Sequence, residues 1–212
     1  MAVCWNEKYR PVQLEPNLNP LQAMTGLYKE IDLKQGTPEW RKWRNGGFGS
    51  SDIPALMGEN PWRSVRALIE GKKGLKKEFQ NAAMRRGHML ESEARQKYIE
   101  EVGREYYPIC IQHTKYFWAR ASLDGISADR NYVVEIKCGK SAYEKAVNFE
   151  VPQYYYGQLQ HILFVTGLDL IDYWCYLPGR EGILIEVERD HGYISDLVEK
   201  CEMYKDQLIE NE

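Results

Sequence analysis

The chain has 212 residues, 43% of them hydrophobic and 12% aromatic, with six Trp and fifteen Tyr. That excludes a disordered or merely solvating chain and suffices for one good core, whereas two independent domains would each be small. A net charge of −3 speaks against a general nucleic-acid coat protein, which draws on excess Lys and Arg, so any phosphate-binding function must come from local clusters.

The five cysteines are scattered and include no C-x-x-C pair, so a disulfide framework, zinc ribbon or iron–sulfur cluster is not expected. No apolar run approaches the roughly 20 residues of a membrane span, and the first ten residues lack a basic-then-apolar signal pattern. The expectation is a cytoplasmic protein without membrane contact.

Residues 1–36, with Pro11, Pro16 and Pro20, read as an N-terminal arm or lead-in containing a short helix over 21–33. Residues 37–212 read as a single domain. Thr37-Pro38-Glu39-Trp40 gives an N-cap, a Pro at the first helical position and an early acid, so a helix starts there and ends near Gly46-Gly47. A second helix follows Ser50-Ser51-Asp52, Asn60-Pro61-Trp62 breaks it, and a third spans 64–70. A long helix over 78–101 is closed by Gly103. The period then changes to two, with strands at 109–113, 117–122 and 132–137 and a turn supplied by Gly125 and Asp129-Arg130-Asn131. Helices are expected at 141–148 and 153–166, then strands at 171–177 and 183–188. A final amphipathic helix carries Ile194, Leu197, Val198, Cys201 and Leu208.

In the 132–137 strand, alternation sends Val133, Glu135 and Lys137 to one face. Asp124, eleven residues upstream, is brought beside Glu135 by a hairpin. Two carboxylates suit a hard divalent cation, and a lysine beside them can position water and offset charge developing on a phosphoryl centre. An Asp followed by E-x-K is also what a surface salt-bridged strand looks like. Two further residues narrow the choice. Glu91 shares a helical stripe with Gly87, Ala94 and Tyr98, where an acid needs a reason, an ion pair with Arg95 or Arg86 being the plain one. Gln158 has Tyr154, Tyr155, His161 and Ile162 as its helical neighbours, where a backbone-satisfied core amide is the plain alternative.

The segments Trp40-x-x-x-Arg44-x-Gly46 with Ser50-Ser51-Asp52, Gly87-x-x-x-Glu91, Ser122-Leu123-Asp124-Gly125, Glu135-Ile136-Lys137 and 155–160 occur in order. Together they resemble the YqaJ-like viral recombinase / phage lambda exonuclease family of the PD-(D/E)xK nuclease superfamily. The resemblance implies an α/β fold with a central mixed sheet flanked by helices. It implies two Mg²⁺ ions, replaceable by Mn²⁺: one on Asp124, Glu135 and the Ile136 carbonyl, the second on Glu91 with Asp124. Lys137 would orient water, Gln158 would support the site, and Arg44, Ser51 and Ser122 would bind the 5′-phosphate of a DNA end.

The implied activity is a 5′-to-3′ exonuclease on double-stranded DNA that leaves 3′ overhangs for recombination. The implied assembly is a homotrimeric ring, working with a single-strand annealing recombinase in a bacterial or phage-infected cell. A structure- or site-selective endonuclease and a catalytically silent end-binding accessory protein are the alternatives. Leu123 stands where the family pattern has Pro. Ala82 stands where a basic phosphate contact is expected, a place that Arg85 or Arg86 could take. His88 is either a site-facing or a plain surface histidine. Lys72, Lys73, Lys76 and Lys77 line a DNA path or a solvated turn. Trp40, Trp43, Trp62 and the tyrosines at 154–156 serve helix packing or base stacking.

Overall fold

A computed structural model describes residues 26–75 and 82–209. One seven-stranded sheet organises them. Strands β1 (Tyr28–Ile31), β3 (Tyr106–His113), β4 (Ala119–Ser127), β5 (Val133–Lys137), β6 (Leu170–Cys175) and β7 (Ile183–Glu188) lie side by side in that order, and the short β2 (Phe48–Gly49) pairs with β4. The pairings β2–β4 and β5–β6 are parallel and the others antiparallel, so the sheet is mixed as expected. A parallel neighbour needs a crossover, and α5 (Lys140–Ala146) with α6 (Gln153–Thr166) supplies it between β5 and β6.

Helix α6 is buried without interruption from Gly157 to Thr166, and left-handed Gly167 ends it. Its Leu159, Ile162 and Leu163 share one core with Ile111, Leu123 and Tyr173 of the sheet and with α2 (Ile53–Leu56) and α7 (His191–Tyr204). On the other face, α4 (Ala82–Val102) lays Ala94 and Tyr98 over Val134, Ile136 and Trp174. Trp174 Nε1 donates to the Ala94 carbonyl at 3.1 Å. Strand β5 is therefore covered on both sides, which explains why its apolar residues are not confined to alternate positions. Helix α1 (Pro38–Asn45) packs against β2 and α3 (Val65–Lys72) against α2, with Thr37 and Ser64 as side-chain N-caps. Among the described residues no helix is long and apolar enough to cross a membrane.

Three expectations are corrected. The helix expected over 21–33 is, at Tyr28–Ile31, the edge strand β1 paired with Cys110–His113; positions 21–25 lie outside the described residues. Pairing to an open sheet edge outweighed local helical propensity. The final helix stops at Tyr204, and Leu208 sits in a separate turn, α8 (Asp206–Ile209). The strand expected over 117–122, with Gly125 in the turn after it, is β4 over Ala119–Ser127, which runs through Gly125 and carries a bulge. Ile109 faces Leu123 and Tyr107 faces Ile126, so a two-residue step on β3 meets three residues on β4. Leu123 and Ile126 consequently enter the same core although they are three apart.

Gly125 lies at the bulge because a Cβ there would stand 2.8 Å from Val134 Cγ1 and 3.1 Å from Tyr106 Cβ. Gly125→Ala should therefore cost about 1–3 kcal/mol, read as a lower urea midpoint. An unchanged midpoint would mean that β3 and β5 yield without cost.

Candidate active site

The β4–β5 ladder comprises Gly125 opposite Val134 and Ile126 opposite Val133. Just past it, the Ile136 N–H donates to Asp124 Oδ2 at 2.8 Å. The side chain of one strand thus does the work of a main-chain acceptor, and the strand ends carry carboxylates.

Alternation turns Glu135 and Lys137 toward α6. Glu135 is 2% exposed, and its Oε1 accepts from Lys137 Nζ and from Gln158 Nε2, each at 2.5 Å. Gln158 Oε1 accepts from Lys137 Nζ at 3.1 Å, closing a triangle of three side chains. Gln158 is thus satisfied by the site rather than by backbone. Lys137 Nζ also lies 4.7 Å from the Tyr155 ring centre.

From the α4 side, Glu91 Oε1 accepts from Arg95 Nη2 at 2.7 Å, and Arg95 Nε donates to the Asp124 carbonyl at 2.5 Å. The plain reading of Glu91 as an ion-pair acid holds, but its arginine also ties the helix to Asp124. His88 is mostly exposed, with Nδ1 3.8 Å from Glu91 Oε2.

Burial, and then the negative charges of Asp124 and Glu91, push the Glu135 carboxyl up to about 8 although Lys137 pulls the other way. Asp124 is raised by burial against the pull of Lys137 and the Ile136 N–H. Glu91 is raised by burial and by Asp124. Burial works against the Lys137 charge, yet Glu135, Tyr155 and Asp124 outweigh it and hold the ammonium above its usual value.

Glu135 Oε2 is buried and has no hydrogen-bond partner among the described residues. Three acids that resist ionisation together and an orphaned carboxylate oxygen are the donor set a hard divalent cation would relieve. Among the described residues no three His, Cys, Asp or Glu side chains are already gathered as ligands. Arg95 holds Glu91 away, while Lys137 and Gln158 occupy Glu135. The fit therefore rests on Asp124 and Glu135, with Glu91 available once it leaves Arg95.

A second cluster lies at the end of α1. Arg44 Nη2 donates to Ser51 Oγ at 2.7 Å and pairs with Asp52 Oδ1 at 3.2 Å. Asp52 is completely buried and also meets Lys72 Nζ at 2.7 Å and Arg63 Nη1 at 3.6 Å, while the Gly49 N–H donates to its Oδ2 at 2.8 Å. Gly49 makes room: a Cβ there would lie 3.2 Å from Arg44 Nε and 3.3 Å from Asp52 Oδ2. Burial raises the Asp52 carboxyl, but Arg44, Lys72 and Arg63 overcome it and hold the group well below the usual range. Lys72 is pushed down to about 8 by burial, with Arg44 and Arg63 adding to that and Asp52 opposing it. Ser122 joins through Trp40, whose Nε1 donates to Ser122 Oγ at 2.8 Å and whose ring centre lies 5.7 Å from the Arg44 guanidinium carbon.

The structure thus brings together Asp124, Glu135, Ile136, Lys137 and Gln158, with Glu91 linked to Asp124 through Arg95, and separately Arg44 with Ser51, Ser122 being linked through Trp40. It corrects Lys72, which is buried against Asp52 and lines no solvent-facing path. Lys73 is half-buried, Arg85 and Arg86 are exposed, and Lys76 and Lys77 lie outside the described residues. Sequence reasoning missed Asp52, read only as a helix start, together with Arg63 and the second bond of Arg95. For Asp52 the available signal was an acid directly after two serines facing an Arg-rich helix.

The profile of the YqaJ-like viral recombinase domain matches residues 39–169. The chain belongs to that family. Within the YqaJ-like proteins, it is 28% identical over 173 residues to Uncharacterized protein YqaJ of Bacillus subtilis (strain 168), covering 78% of this chain and 54% of that protein. The chain thus spans about half the length of this curated relative. Its structure is similar to the alkaline exonuclease LHK-Exo of Laribacter hongkongensis, with a TM-score of 0.70 and 27% identity over 81% of this chain and 92% of that one. LHK-Exo has also been solved in complex with dAMP. A phage related exonuclease from Haemophilus somnus 129PT shares the fold at a TM-score of 0.58 and 16% identity, over 77% and 95% of the two chains. The YqaJ-like fold here is that of PD-(D/E)xK nucleases.

Asp52→Asn keeps the shape of the second cluster but leaves the Lys72 ammonium buried without its anion. We expect a loss of about 3–5 kcal/mol in denaturant unfolding at neutral pH. Because the folded carboxyl titrates below its unfolded value of roughly 3.9, this advantage over the variant is complete between that pH and about 8, fades as the pH falls, and shrinks above about 8 as Lys72 loses its proton. Equal stability of the two proteins at pH 7 would contradict the assignment.

Proposed function

We propose that this chain is a divalent-metal-dependent exonuclease that degrades duplex DNA from 5′ ends. The observation that carries the reading is the triangle of Glu135, Lys137 and Gln158 beside Asp124, reached by Glu91 from the opposite face of the sheet. Membership of the YqaJ-like family and likeness to an alkaline exonuclease support it.

Asp124, Glu135 and the Ile136 carbonyl would hold one Mg²⁺, and Glu91 with Asp124 a second, Mn²⁺ serving in their place. Bound there, the metal would stabilise negative charge on the phosphoryl oxygens. Lys137 holds and orients the attacking water, and its high affinity for the proton suits it to positioning and charge compensation. Gln158 fixes both Glu135 and Lys137, so one amide sets the spacing of carboxylate and ammonium.

Arg44 and Ser51, with Ser122 behind Trp40, would take the 5′-phosphate of the DNA end, the guanidinium fork gripping its oxygens. Such a pocket favours an end-dependent enzyme over the endonuclease reading, because it reads a group that covalently closed DNA lacks. Release of 5′-mononucleotides, 3′ overhangs, a trimeric ring around the duplex and a single-strand annealing partner in a bacterial or phage-infected cell complete the proposal.

Glu135→Ala or Lys137→Ala should lower Mg²⁺-dependent hydrolysis of linear duplex by roughly 10²-fold or more while circular dichroism and DNA binding are retained. Wild-type turnover by either purified variant would remove the mechanism. Arg44→Ala should abolish the preference for 5′-phosphorylated over 5′-hydroxyl ends. Equal rates on both ends by the unmutated protein, or rapid cutting of closed circles, would remove the phosphate pocket.

A further inference from the structure

Trp62 is 75% exposed and, among the described tryptophans, it alone is exposed. The indoles of Trp40 and Trp43 are engaged, donating to Ser122 Oγ at 2.8 Å and to Gln112 Oε1 at 3.2 Å, so packing claims two of the aromatic residues that sequence left open. Trp62 instead stands on a fixed turn. Asn60 Oδ1 accepts from the Trp62 N–H at 2.8 Å and from the Arg63 N–H at 3.0 Å.

The ring is braced from behind. Tyr154 meets it edge-on with centres 4.9 Å apart, Tyr155 meets Tyr154 at 4.6 Å, and the Tyr155 ring lies 4.7 Å from Lys137 Nζ. A row of three aromatic rings therefore leads from the candidate catalytic lysine to an exposed indole. The next residue in the turn, Arg63, reaches Asp52 at 3.6 Å, the carboxylate that also holds Arg44. Trp62 is thus tied to both candidate sites. Beside it runs an open groove of about 590 Å³, bordered by Ala55, Gly58, Asn60, Pro61 and Arg63.

We propose that Trp62, backed by Tyr154, is a stacking platform for an unpaired base of the DNA strand being hydrolysed. The proposal rests on the nuclease reading of the Asp124–Glu135–Lys137 centre. A large exposed indole on a rigid turn leaves apolar surface in water, which a base can cover with its π-face whatever its sequence. Cations close by suit a strand carrying a phosphate on each nucleotide. A base that leaves the duplex to reach a buried centre needs such a partner, because unstacking it costs energy.

The test uses the full chain carrying Glu135→Ala, so that DNA is bound and not consumed, and a 5′-phosphorylated duplex with a short unpaired 5′ end. 5-Iodo-deoxyuridine is placed in turn at each terminal position, irradiated, and the cross-linked peptide mapped. Cross-linking to Trp62 is expected from one of these positions. Trp62→Ala should weaken binding roughly tenfold and Trp62→Phe should restore much of it. Cross-links that map elsewhere, with Trp62→Ala binding within about twofold, would overturn the proposal. So would a Trp62→Ala variant that changes oligomeric state while its DNA affinity is kept, since the ring would then serve a protein contact. Hydrolysis of linear duplex by the unmutated protein is assayed in parallel. No degradation removes the nuclease reading, whereas degradation with Trp62 silent removes the stacking proposal alone.

Discussion

The Ile136 N–H is given to the carboxylate of Asp124, and the candidate site depends on that substitution of a side chain for a main-chain acceptor. The bulge in β4 and the absence of a side chain at Gly125 let β3, β4 and β5 crowd together just before this point. Asp124 is thereby held at the ladder's end between Glu135, which faces α6, and Glu91, which arrives on α4. Had β4 run on in regular register, Leu123 and Ile126 would have faced opposite sides of the sheet.

Stability is given up for this arrangement. Glu135 is buried, repelled by two further acids and left with an unpartnered oxygen, all of which disfavour its ionised form. Lys137, Gln158 and Arg95 offset part of that strain, and each is bound to more than one member of the cluster. Such concentrations of mutually perturbed carboxylates are a mark of functional sites rather than of stabilising ion pairs. The Asp52 cluster contrasts with it: there one buried acid is shared among Arg44, Arg63 and Lys72, and its charge is secured.

Much of this was legible from sequence where a pattern had a single physical reading. The helix at 153–166 and the strand at 183–188 coincide with the observed elements, the helix bracketed by Pro152 and left-handed Gly167 and the strand burying the alternate residues Ile185 and Val187. The gathering of the candidate group was legible because alternation places Glu135 and Lys137 together and a hairpin brings Asp124 near. What escaped depended on partners distant in the chain. Tyr28–Ile31 becomes a strand only because β3 offers an edge. Lys72 looked like one of four solvated lysines, yet it is drawn inward by Asp52, twenty positions earlier. The bulge at Asp124 leaves no local mark beyond a glycine, which was read as a turn.

Belonging to the YqaJ-like family and sharing the fold of PD-(D/E)xK nucleases gives the geometry a setting, while the direction of attack remains the most consequential part of the proposal. It is tested most directly by incubating the purified chain and Mg²⁺ with linear duplex labelled at either the 5′ or the 3′ terminus of one strand. Early release of the 5′ label as a mononucleotide, with the 3′ label retained in long strands and all release stopped by a chelator, is the predicted result. Early release of the 3′ label, or no degradation with either Mg²⁺ or Mn²⁺, would contradict it.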